Sequence, residues 1–236
     1  MTAEEILKQL EALGQESIKK VLLKHDIKEP LYGVKVEELK KINKKVKNGY
    51  ELSLKLFDTG IYDAMYLAGL ITEPQKMSAE ELQHWVQKAN APALREYTVA
   101  WVTAESRHGM SKALEWIDSK DEGIASAGWA TLSSIVTITP DSDLDMSLLK
   151  KLLDRILKSI HKSANRVVYT MNGFIMAAGI HVKELNETAK EVAAKIGKVT
   201  VDVGDTACKV PYSLDYIEKA ESKVAIGKKK KSARCL

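Results

Sequence analysis

Two cysteines, five prolines, two phenylalanines and 6% aromatics in 236 residues exclude several fold classes at once. Cys208 and Cys235 cannot make a disulfide framework and have no metal-type spacing, so a reducing cytoplasm is the expected compartment. No apolar run approaches the ~20 residues that span a bilayer. The opening MTAEEILKQLEALGQ is acidic and amphipathic, unlike a secretory leader. GxxxxGK[ST], GxGxxG, HExxH and GxSxG are all missing, and the five histidines (His25, His84, His108, His161, His181) are scattered. A hydrolase triad, a nucleotide site, a metal and a cofactor are therefore not expected.

What is present is Ala, Leu, Lys and Glu with apolar residues at helical spacing. Ile6, Leu7, Leu10 and Leu13 form one stripe. Val36, Leu39, Ile42 and Val46 form a second, and Leu148, Leu149, Leu152, Ile156, Leu157 and Ile160 a third. Ser78-Ala-Glu-Glu81 and Thr2-Ala-Glu-Glu5 carry capping-box chemistry, and the polar turn 140–145 precedes the third stripe. A helix, a polar break and a helix rich in small residues recur in 54–71, 86–102, 114–135 and 156–179. The repeat of roughly 30–40 residues predicts stacked helical hairpins in a solenoid, as against a non-repetitive bundle. Trp129 and Tyr169, in apolar stretches, are expected in the core.

One segment departs from helical spacing. Lys198-Val-Thr-Val-Asp-Val203 alternates with period 2, Gly204-Asp205 suits a tight turn, and 206–210 would return to Pro211. A β-hairpin over about 198–210 is expected, as a brace or as a probe toward a partner.

Charge is uneven. Residues 147–236 hold 18 Lys+Arg against 9 Asp+Glu, leaving the other 18 Lys+Arg against 23 Asp+Glu in 1–146. That makes +9 and −5, recovering the net +4. A basic lobe is a footprint for a polyanion. Lys228, Lys229, Lys230 and Lys231 belong to a basic tail, 227–236, expected to be solvated, while 1–226 are expected to be one domain. Lys40, Lys44 and Lys47 are expected on one exposed helix stripe. Trp101 and Glu105, four apart, share one helical face. A carboxylate beside an aromatic suits a cationic sugar, although a core Trp101 and a surface Glu105 explain the same pattern.

These segments carry a resemblance: 31–46 (LYGVKVEELKKINKKV), 100–109 (AWVTAESRHG), 115–132 (EWIDSKDEGIASAGWATL), 166–179 (RVVYTMNGFIMAAG), 198–221 and 227–235. The chain resembles the AlkD-like DNA alkylation repair family of HEAT-like repeat proteins, the last three segments being most similar to its hairpin-bearing AlkF/AlkG branch. The resemblance implies an all-α, right-handed α-α superhelix with one late β-hairpin insertion, and DNA in a basic concave face. In the glycosylases of the family an Asp follows a Trp by four residues at the lesion sugar. The matching positions here are Glu105 and Trp101. Cationic alkylpurines need no protonation to leave, so a carboxylate against the oxocarbenium-like sugar would suffice.

Three departures are visible. Glu105 is one methylene longer than Asp, Ala127-Gly128 stands where the family carries an Arg, and Met171–Ile175 stands where it carries a second Trp. Three readings follow. The first is a protein binding branched or distorted DNA with little or no excision. The second is a monofunctional DNA glycosylase using Glu105 and Trp101, and the third a protein-binding scaffold. For DNA contact the expected residues are Arg107, His108, Lys162, Arg166, Lys198, Thr206 and Lys209, together with the tail lysines, as phosphate positioners. A monomer in the cytoplasm, associated with the nucleoid, is expected.

Overall fold

The computed structural model describes residues 1–47, 49–206 and 208–235. The chain divides into two compact units. One is Met1–His108 joined by short late segments starting at Val203 and at Arg234; the other is Gly109–Asp202 with most of the chain after Cys208.

The first unit holds α1 (Ala3–Leu13), α2 (Glu16–Lys24), α3 (Val36–Asn43), α4 (Tyr50–Asp58), α5 (Tyr62–Ile71), α6 (Ala79–Lys88) and α7 (Ala100–Glu105). Both capping boxes form. Ser78 Oγ accepts from Glu81 N at 3.1 Å while Glu81 Oε2 accepts from Ser78 N at 2.8 Å. Thr2 and Glu5 do the same at the start of α1. Ile6 and Leu10 of the first stripe are buried, as are Leu39 and Ile42 of the second. α3 stops at Asn43, so Lys44 and Lys47 leave the stripe expected to hold them with Lys40. The core is anchored by Phe57 stacked on Trp85, centroids 4.1 Å apart and planes 4° from parallel.

A buried acid shapes this unit. Asp63, 1% exposed in the first turn of apolar α5, accepts from three backbone N–H groups. They are Tyr32 (2.6 Å), Gly33 (3.3 Å) and Val34 (2.8 Å). The loop before α3 is thus tied to α5 by one carboxylate. Gly33 N–H is delivered from φ +77°, where any Cβ would meet Gln15 O and Lys19 N at 2.7 Å.

The second unit holds α8 (Gly109–Trp116), α9 (Glu122–Ile138), α10 (Met146–Ser159), α11 (Asn165–His181), α12 (Asn186–Ile196) and α13 (Ser213–Glu221). Asp145 caps α10 through Leu148 N at 2.9 Å, and Leu149, Leu152, Ile156 and Ile160 are buried beneath it. α9 lies along α11, with Trp129 against Phe174 at 5.6 Å; Trp129 is core, as expected. α9 also packs on α8 where Gly128 has no side chain: a Cβ there would meet Ile117 N at 2.7 Å and Ala113 O at 3.0 Å.

Every regular element among the described residues is helical, and the expected late hairpin is overturned. Asn165 holds both backbone groups of Asp202: Nδ2 donates to its carbonyl at 2.8 Å and Oδ1 accepts from its N–H at 2.7 Å. Those groups would have served the ladder of the outgoing strand. At Gly204, φ +75°, the Thr206 N–H bonds back onto Gly204 O at 2.8 Å, a tighter reversal than a hairpin turn. The expected return strand includes Ala207, which lies outside the described residues.

The basic tail is bonded rather than solvated. Gly227 N donates to Ile180 O at 2.9 Å, and Lys230 N to Thr137 O at 2.9 Å. Lys229 Nζ reaches both Val136 O and an Asp141 carboxylate oxygen at 2.8 Å. Leu236, the tail's last residue, lies outside the described residues.

Candidate nucleic-acid interface

In the first unit, the chain between Leu94 and Val99 makes a π-helical turn, one residue wider than α, which runs directly into α7. Leu94, Thr98 and Val99 are buried, while Tyr97 is 43% exposed. One turn later Trp101 is half-buried, so it is not core. Tyr66 of α5 meets Trp101 edge-on at 6.0 Å and 87°, and Tyr97 lies at 5.6 Å. Burial pushes the Tyr66 phenol up to about 12, with Cys235 adding to the rise. Cys235 therefore lies near the Tyr66 ring.

Glu105 shares the Trp101 face, and its carboxylate is occupied. Arg234 Nε donates to Oε2 at 2.9 Å and Arg234 N to Oε1 at 3.4 Å. Arg234 Nη1 also donates to Leu70 O (3.1 Å) and Thr72 O (3.0 Å). The Gln75 side-chain amide donates to the Glu105 carbonyl. Side-chain exposure is 14% for Arg234 and 16% for Glu105, so this ion pair is largely screened from water. The carboxylate expected to face a sugar faces a guanidinium instead. Arg107, exposed, donates from Nε to His108 Nε2 at 3.1 Å. Thr206 is half-buried, its Oγ1 donating to Val203 O at 3.2 Å.

In the second unit, basic residues gather at the start of α11. Lys162 is exposed. Arg166 places its guanidinium carbon 4.4 Å from the centre of the Tyr169 ring. Tyr169, expected in the core, is half-buried and serves as the plate on which Arg166 lies. The chain 196–202 is held against the same end of α11: His161 Nε2 meets Ile196 O at 3.0 Å, and Asn165 holds Asp202. Lys198, exposed, sits 6.0 Å from the Tyr212 ring centre, and Lys209 is exposed. Of the tail lysines, Lys228, Lys230 and Lys231 are exposed, whereas Lys229 is an internal anchor. Lys162, Arg166 and Lys198 thus belong to one neighbourhood.

Two of the family's expected positions prove to be interior. Ala127 and Gly128 are buried against α8, leaving no path for an Arg side chain. Met171, Phe174 and Ile175 are core; in that stretch a side chain on Gly173 alone would enter open space. Residue spacing did not single out Arg234, Tyr66 or Tyr97. Tyr62-Asp-Ala-Met-Tyr66 and Tyr97-Thr-Val-Ala-Trp101, each with aromatics four apart, were the available signal. Among the described residues no set of three or more His, Cys, Asp or Glu is placed to hold a metal. No helix there is long and apolar enough to cross a membrane.

The tail contact predicts a pH dependence. Burial lowers the pKa of His181 below its usual 6.5; the hydrogen bond between Nδ1 and Lys228 O opposes this, and Lys230 and Lys229 add to the lowering. The unfolded chain then binds the proton more readily, so the stability this ring supports is present above pH 6.5 and is lost as pH falls through the folded value. Melting curves from about pH 7.5 to about pH 5.5 should show the wild type losing more than His181→Gln. Parallel losses would remove His181 as the titrating group.

Residues 6–196 match the family model described as DNA alkylation repair enzyme. An uncharacterized protein of Listeria innocua is 31% identical over 229 residues, covering 95% of this chain and 99% of that one. An uncharacterized protein of Listeria monocytogenes is 31% identical over 228 residues, covering 94% and 99%. A solved structure aligns over 100% of both chains with a TM-score of 0.93 and 33% identity. It represents a family of proteins related to the HEAT-like repeat DNA glycosylases with affinity for branched DNA structures. With its helical fold and a match over most of its length, the chain belongs to the DNA alkylation repair enzyme family.

Proposed function

We propose that this protein binds branched or distorted DNA as a monomer in the cytoplasm and excises little or no base. In this reading the basic residues line a concave face of the helical array. Lys162, Arg166, Lys198 and Lys209 act there as phosphate positioners, with the exposed tail lysines adding non-specific attraction. The loop 198–206, held at Asp202 by Asn165, presents Lys198 to the duplex without needing a strand pair. Affinity for branched DNA in the structural neighbour supports the substrate class.

The observation that carries the reading is the pairing of Glu105 with Arg234. A carboxylate neutralised by a guanidinium has lost most of its capacity to stabilise a developing sugar cation. The same pairing removes a bare negative charge from a surface that must approach phosphates. One observation favours the second reading, excision: Trp101 and Glu105 do share a face, and Trp101 is half-exposed.

A gel-shift panel decides between them. Four-way and three-way junctions should bind more tightly than linear duplex of equal length. Arg166→Ala should weaken binding to every substrate about 5–10-fold and lower the salt slope by about 1. Equal affinity for junction and linear DNA would sink the branched-DNA reading. Release of methylated purine by the wild type, abolished in Glu105→Gln, would establish the second.

A further inference from the structure

The surroundings of Glu105 form a complete acceptor site for a planar cation. Two sources of negative potential converge on the Arg234 guanidinium. One is the Glu105 carboxylate, at 2.9 Å from Nε. The other is the C-terminal end of α5, whose last turn carries no basic residue and whose carbonyls Leu70 O and Thr72 O lie at 3.1 and 3.0 Å from Nη1. The acceptors are arranged for a fork: Nε and Nη1 point to different oxygens, a pattern a point-charge ammonium cannot reproduce.

We propose that Glu105, Leu70 O and Thr72 O constitute a guanidinium-binding site that the chain keeps closed with its own Arg234, and that the site, once vacated, takes a planar cation from solution. The ligand class is a small alkylguanidinium. Seating Arg234 brings the following residue, Cys235, near enough to Tyr66 to raise its phenol, and Tyr66 in turn meets Trp101 edge-on at 6.0 Å. Removing Arg234 takes the guanidinium hydrogen bonds away from the Glu105 carboxylate and from both carbonyls, and a planar cation has the geometry to restore them. The inference shares the Glu105–Arg234 pairing with the branched-DNA reading but its test uses no DNA, so a failed rescue by guanidinium and a failed preference for junctions are separate results.

The protein carries its own reporter. Of the four tryptophans, Trp85, Trp116 and Trp129 are at most 1% exposed, which leaves Trp101 as the one accessible to a quencher. Full-length Arg234→Ala should melt about 5 °C below wild type and show greater acrylamide quenching. Millimolar ethylguanidinium should restore at least half of both changes, and ethylammonium at equal ionic strength should restore neither. The double variant Arg234→Ala/Glu105→Gln should not respond to ethylguanidinium. If Arg234→Ala does not fold unaided, refolding it in ethylguanidinium against ethylammonium makes the same comparison, while Arg234→Lys, whose ammonium fills the space without the fork, should melt below wild type and respond to neither ion. Equal response to the two ions, an equal response of the double variant, or no change in melting and quenching on removing Arg234 would each overturn the site.

Discussion

Replacing Asp63 with alanine is expected to remove about 3–5 kcal/mol of stability and to lower the melting temperature by about 10 °C. The carboxylate serves three N–H donors at once, from Tyr32, Gly33 and Val34, and is itself 1% exposed. Alanine takes the acceptor away from all three donors at once. A buried donor without a partner costs about 1–3 kcal/mol, and relaxation of the loop recovers part of the sum. The loss also reaches α2, because Gly33 O accepts from Gln15 N at 3.0 Å, so the loop links both sides. Asp63→Asn keeps the shape but presents an amide N–H₂ to at least one N–H, and should lose about half as much. Urea denaturation of the three proteins measures this directly. A loss under about 1 kcal/mol for alanine would mean that the loop finds other partners.

Gly128→Ala is the second large effect expected. In a helix interior, alanine normally gains about 1 kcal/mol over glycine. Here its methyl would lie 2.7 Å from Ile117 N and 3.0 Å from Ala113 O, backbone atoms of the α8 end that cannot swing aside. α8 and α9 must separate, at a net cost of about 2–3 kcal/mol. Gly173 in α11 supplies the opposite sign: a Cβ there meets nothing within 4 Å, so Gly173→Ala should stabilise by about 0.5–1 kcal/mol. Paired thermal melts of the two variants check both signs. Gly128→Arg, the substitution that sequence alignment would suggest for restoring a phosphate clamp, should not yield folded protein.

The helices were legible because their signals are local. Ser78 and Glu81, or Asp145 and the stripe behind it, act within one turn, so spacing alone predicts them. The loop at 198–206 was misread because period-2 alternation states only what a strand would need. Which groups take the backbone bonds was decided by Asn165, more than thirty residues away. Tyr169 was misplaced for a related reason: an apolar stretch in a helix says that one face is buried, not which residue lies on its border. Arg234 stood among lysines, where a run of like charge suggests solvation, yet it is the residue with a forked set of partners. Asp63 had a usable signal, a lone acid in the apolar run YDAMYLAGLI, where an unpaired charge would be intolerable.

The wide turn at Leu94–Val99 bears on how this family is compared position by position. Each α-helical residue advances the face by about 100°, so a chain one residue shorter through that turn would present the residues after it a quarter-turn or more out of phase with those before it. A tryptophan–acid pair four apart would survive such a deletion as a motif, yet would look in another direction. Register through this turn, rather than the presence of the pair, is therefore the criterion for deciding which relatives aim the same carboxylate at the same space.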